Sequence, residues 1–248
     1  MTQPKITAVV LAGGGGDALS QAAGVAAKAL VPFGGQPLVS YVLRALHDCP
    51  AVGAIVYVGD AAPVVVAQRV LPPGRTFVES FSVGVQAALA LAPRASVLVT
   101  TADLPWLRAD ALSDFLAAAV GAAAAYPVVE ERTARAQFPE QHRTFVRLRD
   151  GRFTGGNMML LSPEMVPVLL PFVGRAYRGR KNPLALARLF GADFIVRLAL
   201  GQLSLRAVER RAERILGLSV RAVVTPHASI GADVDKPGHL PDYPKEQR

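Results

Sequence analysis

The sequence has few of the residues that would indicate a disulfide scaffold or a zinc enzyme. Its 248 residues include a single cysteine, Cys49, so no internal disulfide is possible. We expect Cys49 to be a small buried residue near the end of a helix. The four histidines lack the spacing of metal ligands, so neither a zinc site nor a histidine-based catalytic triad is predicted. They are His47, His142, His227 and His239.

Long hydrophobic runs are also missing. The longest apolar stretch, residues 115–126, is rich in alanine and too short to span a bilayer. The apolar run near residue 6 is too short for a signal peptide and is interrupted by glycines. Charged residues make up only 19% of the chain, which argues against long disorder, and hydrophobic residues make up 51%. We therefore expect a soluble, cytoplasmic protein with a sizeable core and no membrane partner.

The charge balance favours anionic partners. Lysine and arginine outnumber acidic residues to give a net charge of +8, which suits nucleotides, phosphorylated metabolites or nucleic acid. Aromatic residues make up only 6% of the chain and do not alternate with the cations, and no RNA- or DNA-binding module pattern is present. We therefore predict small anionic ligands and no nucleic-acid partner.

The most informative stretch is an apolar run, Ile6–Leu11, that leads into four consecutive glycines, residues 13–16. A continuous apolar run is typical of a buried strand in a parallel sheet. Glycines allow a tight turn and expose backbone N–H groups, because no Cβ blocks positive φ or close approach. Such N–H groups at the C-terminal end of a strand bind phosphate. The stretch predicts an α/β protein that binds a nucleotide here.

Strand and helix patterns alternate through the first half of the chain. Apolar strands are predicted at 6–11, 54–58, 96–100 and 124–129, and helices at 37–45, 82–92 (capped by Ser82) and 109–120. This alternation predicts a Rossmann-like, mostly parallel, doubly wound sheet. Ligands bind such sheets beyond the C-terminal strand ends, where the glycines and Asp103 would meet.

The second half predicts additions to this sheet. Residues 145–153 are typical of a β-hairpin with Asp150-Gly151 as a type I′ turn. A strand at Met158–Leu161 and a short helix from Pro163 follow. Further on, the pattern predicts a helix at Leu205–Leu216, capped by Ser204, and a last strand at 221–224.

The glycine loop alone leaves two nucleotide folds to consider. Gly13, Gly15 and Ala18 formally match G-x-G-x-x-A, which makes a nicotinamide-dependent oxidoreductase an alternative. The acidic residue that should hold the ribose is missing from the expected region, residues 32–37. A P-loop is excluded because no Gly-Lys-Ser/Thr follows at the required spacing.

Two charged residues are candidates for catalysis. Lys28 follows the glycines closely, and a lysine can contact phosphates as a point charge; the alternative is a solvated surface lysine. Asp103 follows the predicted strand at 96–100, where a carboxylate can hold Mg²⁺ against phosphates. The alternative for Asp103 is a helix cap, because Leu104-Pro105 begins a new turn.

Taken together, three segments resemble the nucleotidyltransferase family with a glycosyltransferase-A-like (nucleotide-diphospho-sugar transferase) fold. The nearest branch is the MobA-like, molybdenum-cofactor guanylyl- and cytidylyltransferase-like proteins. The segments are Leu11-Ala12-Gly13-Gly14, residues 28–38 and Thr100-Thr101-Ala102-Asp103-Leu104-Pro105. The resemblance implies that the loop, with Leu11, Ala12, Gly13, Gly14 and Gly15, binds an NTP, with GTP or CTP favoured. It also implies that Lys28 contacts phosphate and that Asp103 binds Mg²⁺.

A fourth segment, residues 233–237, resembles the family's N-x-N/D-T-P pattern, which makes Asp235 a second metal ligand. The implied activity is Mg²⁺-dependent transfer of an NMP from an NTP to a phosphorylated small-molecule acceptor, with release of pyrophosphate. We expect one domain over residues 1–248. Its predicted parts are an NTP-binding half (1–130), an acceptor-binding half with C-terminal helices (131–240) and a tail (241–248).

The sequence departs from the family at one position. An arginine usually follows the glycines to hold the triphosphate, whereas residues 15–20 are Gly-Gly-Asp-Ala-Leu-Ser. Triphosphate binding would then depend on backbone N–H groups, Lys28 and a cation from elsewhere. This departure motivates a third hypothesis, a non-catalytic nucleotide-binding or regulatory protein of the same fold.

Two segments are candidates for binding the acceptor. Arg178 and Lys181 belong to a dense cationic stretch that can grip a phosphorylated acceptor, or that forms a solvated surface. Gly155 and Gly156 allow a ligand to approach closely, and Asn157 offers both a donor and an acceptor. The alternative for these three residues is a bulge after the hairpin.

Overall fold

A computed structural model of the chain describes residues 5–13, 17–60, 66–179 and 188–236, with side chains for all of these except 176–179. The strands are β1 Ile6–Leu11, β2 Pro32–Phe33, β3 Gln36–Pro37, β4 Val52–Val58, β5 Arg69–Leu71, β6 Val97–Thr101, β7 Ala124–Glu130, β8 Val146–Leu148, β9 Gly151–Gly155, β10 Met158–Leu161 and β11 Val220–Val224. The α-helices are α1 Ala18–Ala22, α2 Leu38–His47, α3 Phe77–Leu91, α4 Ala109–Ala118, α5 Glu131–Gln137, α6 Met165–Gly179, α7 Ala192–Ala199 and α8 Leu205–Leu216.

One sheet of nine strands organises the described residues. Its order is β5-β4-β1-β6-β10-β7-β9-β8, and β11 pairs with β7. The pairings of β1 with β4 and β6, of β4 with β5 and of β7 with β11 are parallel, whereas β10 runs antiparallel between β6 and β7. The small hairpin β2–β3 is separate. This arrangement confirms the predicted α/β fold with a mostly parallel central sheet.

The core has one layer on each face of the sheet, because successive strand residues point to opposite faces. Ala8 and Val10 pack with α2 and α4, whereas Val9 and Leu11 pack with α3 and α6. The central strands are therefore apolar on both faces, which explains their continuous hydrophobic runs. Cys49 is buried just after α2, as predicted.

The helix predicted from Ser82 begins earlier than expected. Helix α3 starts at Phe77, and the Thr76 hydroxyl accepts a hydrogen bond from the Glu79 backbone N–H at 3.2 Å. In return, the Glu79 carboxylate accepts one from the Arg75 N–H at 2.7 Å. The sequence T-x-x-E is the pattern of a capping box, with the difference that the Glu79 carboxylate accepts from the residue before the capping Thr76. Ser82 instead lies inside the helix.

Two other predicted features differ from the structure. The hairpin pairs Leu148 with Gly151, so the loop is Arg149-Asp150 and only Gly151 has positive φ (146°). The prediction of a type I′ turn at Asp150-Gly151 was therefore wrong. The Asp150 carboxylate instead accepts a hydrogen bond from the Leu205 N–H at 2.6 Å, at the start of α8. The short helix predicted from Pro163 is α6, with 15 residues, and tolerates Pro171 inside it.

The predicted helix α8 matches its observed bounds, and the Ser204 hydroxyl caps it by accepting from the Ala207 N–H. Glu209 on this helix is buried, and its carboxylate accepts from the Ala222 N–H of β11 at 2.8 Å. The helix therefore satisfies part of the backbone of an edge strand. No helix within the described ranges is long and apolar enough to cross a membrane.

Candidate active site at the C-terminal edge of the sheet

Charged side chains from three distant parts of the chain meet where β1 and β6 end. Lys28 lies on a 3₁₀ helix, Lys28–Leu30, that follows the glycine loop. Asp103 follows β6, and Asp235 lies on the segment after β11, residues 225–236, which crosses this edge of the sheet. In the register, Leu11 pairs with Thr101, so the strand ends lie side by side.

Lys28 links two of the predicted metal ligands. Its Nζ donates to Asp103 Oδ2 at 2.6 Å and also to Asp235 Oδ1. Burial lowers the pKa of Lys28, but Asp103 and Asp235 outweigh this effect and raise it above its ordinary value. The lysine is therefore a charged ammonium group between two carboxylates.

Asp103 does not cap the helix that follows it. Helix α4 begins at Ala109, after Arg108. The side chain of Asp103 instead accepts from the Thr101 hydroxyl at 2.6 Å, and its backbone carbonyl accepts from the Val234 N–H at 3.1 Å. Thr101 thus fixes the orientation of a carboxylate directed into the site, which favours the metal hypothesis over capping.

The segment Asp233-Val234-Asp235 brings two carboxylates to Asp103. Val234 is fully buried with Leu19, Val31, Phe33 and Leu38, and this packing anchors the segment. Carboxylate oxygens of Asp103, Asp233 and Asp235 lie within 4.8 Å of one another.

Sequence reasoning missed Asp233. The sequence did contain a pattern that indicates it, because two acidic residues flank the apolar Val234. In an extended segment, side chains at positions i and i+2 point the same way while the residue between them points into the core.

Arg143 was also missed, and it holds Asp233. Its guanidinium donates to the Gly155 carbonyl at 2.8 Å and to the Thr154 hydroxyl at 3.2 Å, and it lies 3.4 Å from Asp233 Oδ1. Burial, reinforced by Asp235 and Asp103, raises the pKa of Asp233 to about 6. Burial and nearby like charges both disfavour the ionised form of this carboxyl group.

The donor set fits a hard divalent cation. Mg²⁺ prefers oxygen ligands and is commonly held by one or two carboxylates together with phosphates and water. The three aspartates supply such oxygens at one point, and the Lys28 ammonium already neutralises two of them. A cation bound here would replace the lysine as their counter-charge.

The predicted nucleotide loop lies beside this cluster. Leu11, Ala12 and Gly13 line a cavity of about 170 Å³, the charged cavity, with Lys28 and Asp103; its other lining residues are Asp17, Ala29, Phe77, Thr101 and Ala102. A Cβ added to Gly13 would lie 2.4 Å from the Cβ of Pro73, so only glycine fits there. Gly14 and Gly15, two other predicted contacts, lie outside the described residues.

Asp17 occupies the region where the family usually has an arginine. Its carboxylate accepts from the backbone N–H groups of Leu19 (2.9 Å) and Ser20 (2.8 Å) and caps α1. Its local role is thus to start a short helix.

The predicted acceptor residues separate into two groups. Gly155 and Gly156 lie at the break between β9 and β10, where a Cβ would strike Tyr126 Oη (2.5 Å) or Ile230 Cγ2 (2.7 Å). The chain's own packing therefore already requires small residues there. Asn157 lies next to Thr101, whose N–H donates to the Asn157 carbonyl at 3.2 Å. The Arg178 side chain and Lys181 fall outside the described residues.

Comparison with protein families identifies the chain. The model of the MobA-like NTP transferase domain matches residues 8–217. The chain belongs to the MobA-like NTP transferase family. The predicted resemblance is thereby confirmed, and the nicotinamide-dependent alternative is set aside. A comparison with curated proteins finds no match.

Several solved structures are similar to this one. A hypothetical transferase from Thermus thermophilus is 41% identical, with a TM-score of 0.85, over 94% of this chain and 97% of its own. The 2-C-methyl-D-erythritol 4-phosphate cytidylyltransferase from Thermus thermophilus is 15% identical, with a TM-score of 0.55, over 94% of each chain. CMP:2-keto-3-deoxy-manno-octonic acid synthetase, solved with CTP, is 11% identical, with a TM-score of 0.56, over 94% of this chain and 95% of its own. The last two share the fold.

Proposed function

We propose that this family member is an Mg²⁺-dependent nucleotidyltransferase that transfers an NMP from an NTP to a phosphorylated small-molecule acceptor. The observation that supports this most directly is the meeting of Lys28, Asp103, Asp233 and Asp235 beside the predicted nucleotide loop. An acceptor phosphate oxygen attacks the α-phosphorus of the NTP. The new P–O bond forms as the bond to the β-phosphate oxygen breaks, and pyrophosphate leaves with that electron pair.

This reaction needs positioning and charge neutralisation rather than a protein nucleophile. Asp103, Asp233 and Asp235 are the residues that would hold the cation, which, when bound, neutralises phosphate charge. Thr101 orients Asp103 by a hydrogen bond, and Arg143 orients Asp233 by an ion pair. Lys28 exchanges its carboxylate partners for phosphate oxygens when substrate arrives, because its long side chain can turn on its stem.

The missing loop arginine has a candidate replacement. Arg75 is exposed and lies two residues beyond Pro73, the residue that packs against Gly13. Its backbone N–H is held by Glu79, so its position on this loop is fixed. We assign to Arg75 part of the neutralisation of the triphosphate that the loop arginine performs elsewhere in the family.

The resemblance favours GTP or CTP as the donor. The experiment is a panel of NTPs with and without Mg²⁺ and with phosphorylated acceptors, followed by pyrophosphate release and by melting temperature. Bound ligand raises the melting temperature by mass action. Pyrophosphate release that stops when EDTA is added supports the proposed Mg²⁺-dependent activity. Nucleotide binding without pyrophosphate release, across the whole panel, would support the regulatory alternative instead.

A further inference from the structure

A second cavity of about 170 Å³ adjoins the charged cavity, and we call it the apolar cavity. It lies on the face of the sheet that packs against α3. Strand residues Leu11, Asn157 and Met159 line it from the sheet, and Phe77 and Phe81 line it from α3; its other lining residues are Val99, Thr100, Thr101, Tyr126, Gly156 and Met158. Its volume suits a single ring or a short alkyl group.

The two cavities are contiguous. Leu11, Phe77 and Thr101 line both of them. Thr101 donates to Asp103 at 2.6 Å, so the shared wall contacts the carboxylate cluster directly. The apolar cavity is therefore within reach of the atoms next to a phosphate that lies at Asp103.

The lining offers little to a polyhydroxylated ligand. The hydroxyls of Thr100, Thr101 and Tyr126 already donate to Asn157 O, Asp103 and Gly156 O. Among the described lining residues, the Asn157 amide is the one polar side-chain group without a hydrogen-bond partner. Sugar hydroxyls buried here would lose water without finding partners, which costs free energy. An apolar or aromatic group would bury surface at no such cost.

Phe77 adds a feature suited to ring recognition. It is the first residue of α3, 45% exposed, at the boundary between the two cavities. Its ring lies 6.2 Å from that of Phe81 with an angle of 31° between their planes. Aromatic rings pair favourably with one another, so these two side chains give this wall of the cavity an aromatic character.

We infer that the apolar cavity binds the body of the acceptor, and that this acceptor is a phosphate monoester of an apolar or aromatic group rather than of a sugar. The inference rests on the proposed function, because it takes the phosphate at Asp103 as the reacting group. The alternative occupant of the apolar cavity is the base of the NTP. Its polar edges need several donors and acceptors, whereas the lining offers one free amide.

The test measures the binding of methyl, ethyl, butyl and phenyl phosphate by calorimetry. The protein is saturated with Mg²⁺ and a non-hydrolysable GTP or CTP analogue, and glucose 6-phosphate is the polar comparison. Affinity should rise about fourfold for each added methylene group, as expected for burial of apolar surface. Phenyl phosphate should bind more tightly than glucose 6-phosphate.

A pair of variants tests whether the rise in affinity with chain length arises from the apolar cavity. Met159→Trp should fill it and reduce the affinity for butyl phosphate to that for methyl phosphate, while leaving the nucleotide analogue's affinity unchanged. The control Val83→Trp enlarges a side chain that is 39% exposed on α3 and lines neither cavity. It should change neither affinity. If Met159→Trp does not fold, the wild-type series decides by itself.

Three outcomes would overturn the inference. A flat alkyl series with intact nucleotide binding refutes the apolar cavity as the acceptor site and leaves the proposed function standing. Loss of nucleotide affinity in a folded Met159→Trp variant assigns the cavity to the base. Absence of Mg²⁺-dependent nucleotide binding in wild-type protein refutes the proposed function together with this inference.

Discussion

Asp103 and the pair Asp233 and Asp235 lie in the same site, but different parts of the fold hold their carboxylates in position. Asp103 lies two residues beyond the end of β6, and its side chain is only 14% exposed. Asp235 lies far beyond the end of β11, on a segment anchored by the buried Val234, and its side chain is 61% exposed. One carboxylate is therefore fixed by the central sheet, whereas the pair depends on the packing of a crossing segment.

The difference predicts that the carboxylates contribute unequally to activity. A carboxylate fixed by the central sheet and by a short hydrogen bond from Thr101 is pre-organised, and pre-organised charge has the largest effect on a reaction. An exposed carboxylate interacts through water and contributes less. Replacing each charged residue separately tests this division.

The largest loss should come from Asp103→Asn, which keeps the size of the side chain and removes its charge. We expect Mg²⁺-dependent pyrophosphate release to fall by about a hundredfold or more, with little change in melting temperature. Asp48→Asn, at an exposed aspartate just after α2, is the matched control. Full activity in a folded Asp103→Asn variant would contradict the assignment, and so would a collapse in melting temperature.

Lys28→Met should have opposite effects on two ligands. NTP affinity should fall by about ten- to a hundredfold, the usual worth of hydrogen bonds to a charged group. Mn²⁺ affinity without nucleotide should rise, because the ammonium no longer competes for Asp103 and Asp235. Mn²⁺ titration and nucleotide calorimetry measure the two effects. Lys5→Met, at the opposite end of β1, should change neither; weaker Mn²⁺ binding in Lys28→Met would refute the competition.

Asp235→Asn should be milder. Because this side chain is mostly exposed, we expect about a fivefold loss of activity at most, the upper range for a solvent-screened pair. Pyrophosphate release at saturating Mg²⁺ measures it against Asp103→Asn. If the two variants lose activity equally, the proposed division between the fixed and the exposed carboxylate is wrong.

Asp233→Asn should alter the pH dependence of stability in EDTA. The folded state binds a proton at Asp233 more tightly than the unfolded state, since the pKa rises from 3.8 to about 6. The resulting stabilisation is present below pH 3.8 and is lost as the pH rises through 6. Asparagine does not ionise, so the variant should melt a few degrees above wild type at pH values above about 6. Its advantage should disappear near pH ~4, and a difference that does not depend on pH would exclude this account.

Features that depend on local chemistry were predictable from the sequence. The apolar strands and the cap at Ser204 are set by neighbouring residues, and the structure matches them. The start of α3 was missed although Thr76 and Glu79 form a recognisable capping box. Asp233 was missed although Asp-Val-Asp alternates around a buried valine.

Other features depend on contacts that no local pattern contains. Arg143 lies beside Asp233 because the end of β9 supplies the Thr154 hydroxyl and the Gly155 carbonyl that hold its guanidinium. Glu209 is a charged residue between Arg206 and Arg210 in the sequence, which gives no local sign of burial, yet it is buried against β11. The apolar cavity likewise exists only where α3 and the sheet meet.

The anchoring of Val234 has a consequence for the order of folding. Lys28 and Asp235 are 207 residues apart in sequence, whereas Lys28 and Asp103 are 75 apart. Contacts between distant residues close large loops and form late. During synthesis, the sheet strands β1, β4, β5 and β6 can therefore assemble before Val234 joins Leu19, Val31 and Phe33. Nucleotide binding should then appear as one of the last events of folding, after the sheet has formed.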